Sequence, residues 1–304
     1  MKCFKNMIYI EFNDYTRLGN WMFQYAAAIS LHKDVRVILN CEYAKKKIGA
    51  YKEIFKNIQF ADFIPNDSKV IEYDPKTNSL ININDETGNI VLKGLFQSPT
   101  YFDNELVKSV FEPTTQRINQ LNNDYGEWLS RPSVTGIHVR RGDYLKVLFA
   151  NPFVGEKYLQ QAIKMIPEAN DFIVCSDDIP WCRQFFKSKF PNKNFLFVEG
   201  TSEVNDLYLL SRCKNNIISN GTFGWWQSWL NPNLNKRVIA PSMWFGYKLK
   251  QDGVSWNEFY YKDVEVVNND YNLFAYIQAH FQYWKIIVKS RIYRIYINLK
   301  NKQK

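Results

Sequence analysis

Apolar and polar positions along this chain follow two periods that take turns. Asn6–Phe12 is a short apolar run of strand type. From Leu18 to His32, apolar residues recur at helical spacing (Leu18, Met22, Tyr25, Ala26, Ile29). A second strand, Val35–Leu39, follows after a short turn and completes a βαβ start. Between Ala44 and Asn89 the pattern is weak and rich in Lys, Asn and Asp, and it predicts no definite element. Ile90–Phe96 resumes as a strand, and Asp103–Leu129 is mainly helical with a break near Pro113.

Beyond Ser133 the alternation becomes regular. Strands are expected at Val134–Val139, Phe172–Cys175, Phe195–Val198, Asn216–Ser219 and Val238–Ala240. Between them lie helical stretches at about Gly155–Ile166, Pro180–Lys189, Glu203–Cys213 and Phe223–Leu230. Such alternation predicts an α/β fold, a parallel sheet with helices on both faces. Sheets of this kind bind ligands at the C-terminal ends of their strands.

Length adds a second unit. The 304 residues exceed the usual size of one domain, so two domains of roughly 150 residues are expected. Their boundary falls near Ser130-Arg131-Pro132-Ser133. Apolar content of 46% and aromatic content of 16% suffice for two buried cores and exclude a disordered or repetitive chain.

The net charge of +9 suggests a nucleic-acid binder until it is located. From Tyr271 to Lys304 there are seven cations (Lys285, Lys289, Arg291, Arg294, Lys300, Lys302, Lys304) and no carboxylate, and nine minus seven leaves +2 for the rest. The body is near neutral and lacks an RNA-binding motif, which argues against nucleic acid as a partner. The five cysteines (Cys3, Cys41, Cys175, Cys182, Cys213) are scattered and show no CxxC spacing. With three histidines they argue against a zinc site and fit free thiols in a reducing cytoplasm. The N-terminus has no apolar run of signal-peptide or membrane-spanning length.

Chemistry is concentrated at three strand ends. His138-Val139-Arg140-Arg141-Gly142-Asp143-Tyr144 is a strand running into a charged loop, with His138 and Arg140 on one face and Gly142 allowing close backbone approach. Two adjacent guanidiniums repel unless an anion joins them, and a diphosphate suits their forked donors. The other reading is a pair of structural arginines bridging to acidic residues, Asp143 included. Ser219-Asn220-Gly221-Thr222-Phe223-Gly224 stands where a strand hands over to a helix. It is either an anion site on free helix N–H groups or an ordinary helix start capped by Asn220 or Thr222. In Ser176-Asp177-Asp178, one carboxylate is expected to face a ligand and the other to cap the helix near Pro180. No P-loop, G-x-G-x-x-G, H-E-x-x-H or G-x-S-x-G motif occurs.

Taken in order, these segments resemble the bacterial α-1,2-fucosyltransferases of glycosyltransferase family eleven. The resemblance runs from Arg17-Leu18-Gly19-Asn20-Trp21-Met22-Phe23-Gln24-Tyr25-Ala26 through Gly94–Ser98, the His138–Tyr144 loop, Ser176–Asp178 and Asp206–Ser211 to Ser219–Asn231 and Val238–Pro241. It implies a glycosyltransferase-B-like fold: two facing Rossmann-like domains, 1–132 and 133–265, with the active site in the cleft between them, then a basic amphipathic tail over 266–304. It implies a metal-independent, inverting transfer of L-fucose from GDP-β-L-fucose to the 2-hydroxyl of a terminal galactose, with no cofactor. Carried over by residue, Arg140 and Arg141 would stabilise the departing GDP and His138 would support their loop. Asp177 would face the nucleotide, beside Ser176. Asn220 and the backbone of Thr222 and Phe223 would lie near the phosphates. Arg17, Gly19 and Asn20 would approach donor and acceptor.

Two positions depart from the family pattern: Thr16 stands where Gly is usual and Trp21 where Gln is usual. Trp21, on the acceptor side, could stack on a sugar face or simply pack. The general base is unassigned; Asp143, Asp14 and Glu156 are candidates. In the tail, Leu273, Ile277, Phe281, Trp284, Val288, Ile292, Ile295 and Leu299 recur every three or four residues, with most cations outside that stripe. The tail reads as a membrane-surface helix, which fits a cytoplasmic protein at the inner membrane face and a lipid-linked acceptor. Alternatively it packs back on the N-terminal domain or binds a partner.

Overall fold

A computed structural model of the chain describes residues 7–72, 88–246 and 259–269, and 274, 276–282, 284, 285 and 288 of the C-terminal segment. Cys3, Asn6 and most of the expected tail lie outside the described residues. Two parallel sheets form the frame. The first has the order β2-β1-β4-β3, made of β1 (Ile8–Phe12), β2 (Val35–Leu39), β3 (Lys69–Glu72) and β4 (Ile90–Lys93). The βαβ start is as expected, with α1 (Leu18–Leu31) crossing from β1 to β2 in register Ile8 to Val35.

The second sheet has the order β10-β9-β8-β5-β6-β7. Its strands are β5 (Thr135–Val139), β6 (Asp171–Ser176), β7 (Asn194–Phe197), β8 (Asn215–Ile217), β9 (Val238–Pro241) and β10 (Val264–Val267). Every pairing is parallel. Counted from β5, this is the doubly wound order in which the chain builds outward one way and then returns to build the other. The reversal lies between β5 and β8, so a crevice opens there at the strands' C-terminal ends.

The helices of this half are α5 (Gly155–Lys164), α6 (Ile179–Lys189), α7 (Glu203–Ser211) and α8 (Thr222–Trp229). One buried cluster on this sheet joins Ile137, Val139 and Val174 to Tyr158, Ile163 and Phe186. The other face carries α7 and α8, and its cluster continues without a break into the first sheet. At that seam Trp225, Trp226 and Trp229 pack on Phe23, Phe102 and Phe111, with centroids as close as 4.7 Å between Phe23 and Trp226. Aromatic rings of this size each bury about 150–250 Å², so α1 and α8 are joined mainly by apolar contact. The α1 helix is buried on nearly all sides, from Trp21 through Ala28, where its sequence suggested a single stripe.

Three elements went unanticipated, α2 (Glu42–Ile48), β3 and β10. The first exposes a run of lysines and buries only Ala44. The break at Pro113 is real and separates α3 (Asn104–Phe111), capped by Asp103, from α4 (Thr115–Leu129), capped by Thr114. Cys41, Cys175, Cys182 and Cys213 are free thiols.

Candidate active site

The arginine loop begins at the sheet's reversal point. Strand β5 ends at Val139, so Arg140 starts the loop rather than sharing a strand face with His138, which corrects the sequence expectation. Ser219, two residues past β8, bridges the crevice. Its hydroxyl donates to the His138 carbonyl at 2.8 Å and accepts from the Arg140 N–H at 3.0 Å.

Each guanidinium of the loop meets a carboxylate. Arg140 pairs with Asp143 at 2.9 Å and with Asp177 at 3.1 Å, and Arg141 pairs with Asp178. The Arg141 guanidinium is also held over the Trp181 ring, 4.8 Å from its centroid. Asp177 does more than neutralise charge: its other oxygen accepts the backbone N–H groups of Arg141 at 2.8 Å and Gly142 at 3.1 Å. Both its oxygens are therefore turned onto the loop. Asp178 caps α6 through the Trp181 N–H at 3.2 Å, the capping role expected of one aspartate in that pair. Ser176 accepts from the Asp178 N–H at 3.0 Å. The bridging arrangement weighed above is thus the one present, and it fixes both arginines at the crevice.

His138 is buried beside Arg140. Burial first, and then that positive charge, lower its imidazole from the ordinary value to about 3, so the ring is neutral near pH 7. Its Nδ1 has no hydrogen-bond partner among the described residues. The ring packs on Phe223 with centroids 4.8 Å apart. Burial likewise raises the Tyr144 phenol to about 12. A Cβ on Gly221 would stand 3.1 Å from the Tyr144 hydroxyl, which ties the arginine loop to the start of α8.

Helix α8 begins without a side-chain cap. Its N-cap is Gly221 rather than Asn220 or Thr222. Asn220 instead donates its amide to the Trp244 carbonyl at 3.0 Å, and its Oδ1 is buried without a partner among the described residues. Helix α1 starts in the same way, with Arg17 at the N-cap and no side-chain cap. The two starts meet: a Cβ on Gly19 would fall 2.8 Å from the Thr222 backbone carbonyl carbon. Trp226 Nε1 closes the junction by donating to the Gly19 carbonyl at 2.9 Å. Uncapped helix starts carry free N–H groups and partial positive charge. Two of them, side by side at a sheet reversal, can hold an anion; the Arg140 backbone is tied to them through Ser219, whereas the Arg141 guanidinium is turned to Asp178 and Trp181 at the start of α6.

On the first-sheet side, Asn20 Oδ1 accepts from Gln97 at 2.6 Å. Arg17 is exposed, lies 4.5 Å over the Tyr43 ring and donates to the Asp14 carbonyl at 2.6 Å. Trp21 is fully buried, stacked on Phe12 at 4.7 Å with Nε1 donating to Thr16 at 2.8 Å. It packs, and presents no surface to a sugar. Thr16, the other departure, is its partner, so the two unusual residues act as a pair. Of the base candidates, Asp143 is engaged by Arg140, while Asp14 and Glu156 are exposed. Among the described residues, no group of three His, Cys, Asp or Glu side chains could hold a metal ion.

The sequence pointed to most of this constellation but not to Ser219 as a bridge or Tyr144 as a strut. Ser219 lies in the Ser219–Gly224 segment, but its partners are some 80 residues distant. A cavity of about 660 Å³ lies elsewhere, lined by Lys108, Arg212, Trp229 and Lys236. It sits near the strands' N-terminal ends and contains none of these residues.

A family model described as glycosyl transferase family 11 matches residues 4–257. The O-antigen biosynthesis glycosyltransferase WbnK of Escherichia coli is 33% identical over 165 residues, 49% of this chain and 53% of the relative. An alpha-1,2-colitosyltransferase of Escherichia coli is 30% identical over 167 residues, 52% and 57% of the two chains. The galactoside 2-alpha-L-fucosyltransferase SEC1 of Bos taurus is 35% identical over 111 residues, 33% and 30%. The chain thus spans about half the length of the bacterial relatives it matches and about a third of the bovine one. Among solved structures, the α-1,6-fucosyltransferase NodZ soaked with GDP-fucose shares the fold, with a TM-score of 0.52 at 15% identity over 79% of this chain and 96% of that one.

Proposed function

The chain belongs to glycosyl transferase family 11, and we propose that it transfers L-fucose from GDP-β-L-fucose to the 2-hydroxyl of a terminal galactose. The transfer is inverting and needs no metal, and it serves surface-polysaccharide (O-antigen) assembly on a lipid-carried glycan at the cytoplasmic membrane face. In this reading residues 1–132 and 133–265 are two Rossmann-like halves of a glycosyltransferase-B-like enzyme, facing each other across a cleft. What carries it is the meeting of the uncapped starts of α1 and α8 at the reversal of the second sheet, where Ser219 ties them to the arginine loop. The names of the bacterial and bovine relatives support the linkage and the setting.

In the reaction, the bond from the anomeric carbon to the diphosphate breaks as the acceptor hydroxyl oxygen bonds from the opposite face. Negative charge then builds on the departing GDP. Arg140, Arg141 and the N–H groups of Thr222 and Phe223 stabilise it, and such preorganised donors contribute most where charge develops. Their fixed N–H donors, held in place by the aspartates, take the part a metal plays elsewhere. Arg17, Gly19 and Asn20 contact donor and acceptor from the first-sheet side, Ser176 and Asn220 complete the donor pocket, and Asp177 acts through the arginine loop that both its oxygens hold. The hydroxyl proton passes to a base that is not assigned.

A second reading keeps the site and changes the sugar. The similarity to an alpha-1,2-colitosyltransferase equals that to WbnK in extent, so another GDP-activated deoxy sugar is a reasonable donor. One experiment separates the two. Purified protein in chelator is given GDP-fucose or GDP-colitose with a panel of β-galactosides, and GDP release is followed with product linkage. Transfer from GDP-fucose to O2 is expected, transfer from GDP-colitose alone supports the second reading, and turnover of neither rejects both.

A further inference from the structure

The described residues of the C-terminal segment are helical, and the helix faces the wrong way for a protein core. Phe274, Ile277, Phe281, Trp284 and Val288 recur at helical spacing and are 76, 57, 69, 57 and 51% exposed. The side that touches the body is much less apolar. Ala279 is fully buried against Leu148. Gln282 spans the loop beyond the arginines, donating to the Leu145 carbonyl at 2.7 Å and accepting from the Leu148 N–H at 3.1 Å. At about 100° per residue, Ala279 and Gln282 stand on the side opposite the exposed stripe. A helix of a soluble domain ordinarily turns its apolar stripe inward. This one is fastened by a narrow side, Ala279 and Gln282, and holds its large apolar side chains out.

Charge decides what covers the stripe. Residues 271–304 carry seven cations and no carboxylate. Two copies paired through this surface would bring like charges together, whereas an anionic lipid surface would attract it. Aromatic and aliphatic side chains flanked by lysine suit the boundary between headgroups and acyl chains. We propose that this helix lies in the interface of an anionic lipid bilayer, with Phe274, Ile277, Phe281, Trp284 and Val288 below the headgroups and Lys285 among them. The fastening also sets an orientation. The Leu145 N–H donates to the Arg141 carbonyl at 3.1 Å, so the helix grips the segment that continues the arginine loop. Docking therefore brings the mouth of the crevice to the bilayer, where a lipid-carried acceptor is within reach. The surface itself does not depend on which sugar is transferred.

The test is flotation of the full chain with vesicles of phosphatidylglycerol and phosphatidylcholine, or of phosphatidylcholine alone. The unaltered protein is expected to float with the anionic vesicles, less with the neutral ones, and less in high salt. In Phe281→Ser/Trp284→Ser the bound fraction at limiting lipid should fall at least about tenfold, because two large apolar side chains no longer leave water. Both positions are exposed, so the thermal melt should be unchanged, and a changed melt is met by repeating the assay with Ile277→Ser alone. Equal flotation of the variant, or none of the unaltered protein, overturns the proposal. A lipid-free dimer that the substitutions dissociate would assign the stripe to a second copy instead.

Discussion

The C-terminal ends of the two sheets build the same device with different stiffness. On the first, β1 runs into Arg17 and the uncapped α1; on the second, Arg140 follows β5 and the uncapped α8 follows the neighbouring β8. At the second sheet the arginines are locked: Arg140 between two aspartates, Arg141 between Asp178 and the Trp181 ring, the loop itself held by Asp177 and Ser219. At the first sheet Arg17 is exposed and rests on Tyr43 and backbone carbonyls. Neutral partners of that kind bind more weakly than carboxylates. The locked end is suited to charge that must be met without reorganisation, and the looser end to a partner that comes and goes.

The largest expected break in that comparison is Arg140→Ala. Steady-state kinetics should show kcat falling about 10²–10³-fold with the melting temperature nearly unchanged, as for loss of one preorganised donor. A near-native rate would remove the arginine loop from the reaction. Arg17→Ala, its counterpart, should cost only roughly threefold to tenfold, the scale of one modest hydrogen bond. Asp177→Asn should fall between them. It frees Arg140 and weakens acceptance of two N–H groups, so roughly a tenfold or greater loss is expected at the scale of charged hydrogen bonds. Were Asp177 only a solvent-facing carboxylate, the rate would not move.

Two smaller effects sharpen the picture. Trp21→Phe loses the Thr16 hydrogen bond and part of a buried ring, for about 1–2 kcal/mol of stability by thermal or denaturant unfolding. Its KM for acceptor should be unchanged, since the side chain touches no sugar. His138 gives a pH signature. Its folded value of about 3 lies below the ordinary value of 6.5, so the unfolded chain binds the extra proton between them. The stability this contributes is complete above pH 6.5 and is lost as pH falls toward 3. His138→Gln should flatten that acid limb by up to about 1.4 kcal/mol per pH unit.

The second half of the chain was the more legible because its strands and helices alternate with little between them. Only β10 escaped notice, a four-residue edge strand with Val266 half exposed and few apolar neighbours in sequence. In the first half α2 was hidden because Ala44 is its only buried residue, leaving no apolar period to read. Motif residues at the crevice were visible as residue types, but their engagements were not. Arg140 finds Asp177 from 37 positions away, a partnership that strand order creates. Trp21 illustrates the same limit, because α1 is covered by both a sheet and α8, and no single stripe announces burial on all sides.

Whether the locked end grips a diphosphate is read from calorimetric binding of GDP and GMP. Unaltered protein should bind GDP at least about tenfold more tightly than GMP, since a second phosphate engages charged donors. Arg140→Ala should erase most of that difference while leaving GMP affinity nearly intact, and Arg17→Ala should preserve it. Equal affinity for GDP and GMP in the unaltered protein, or a GDP preference that survives Arg140→Ala, would mean that the arginine loop does not hold the diphosphate.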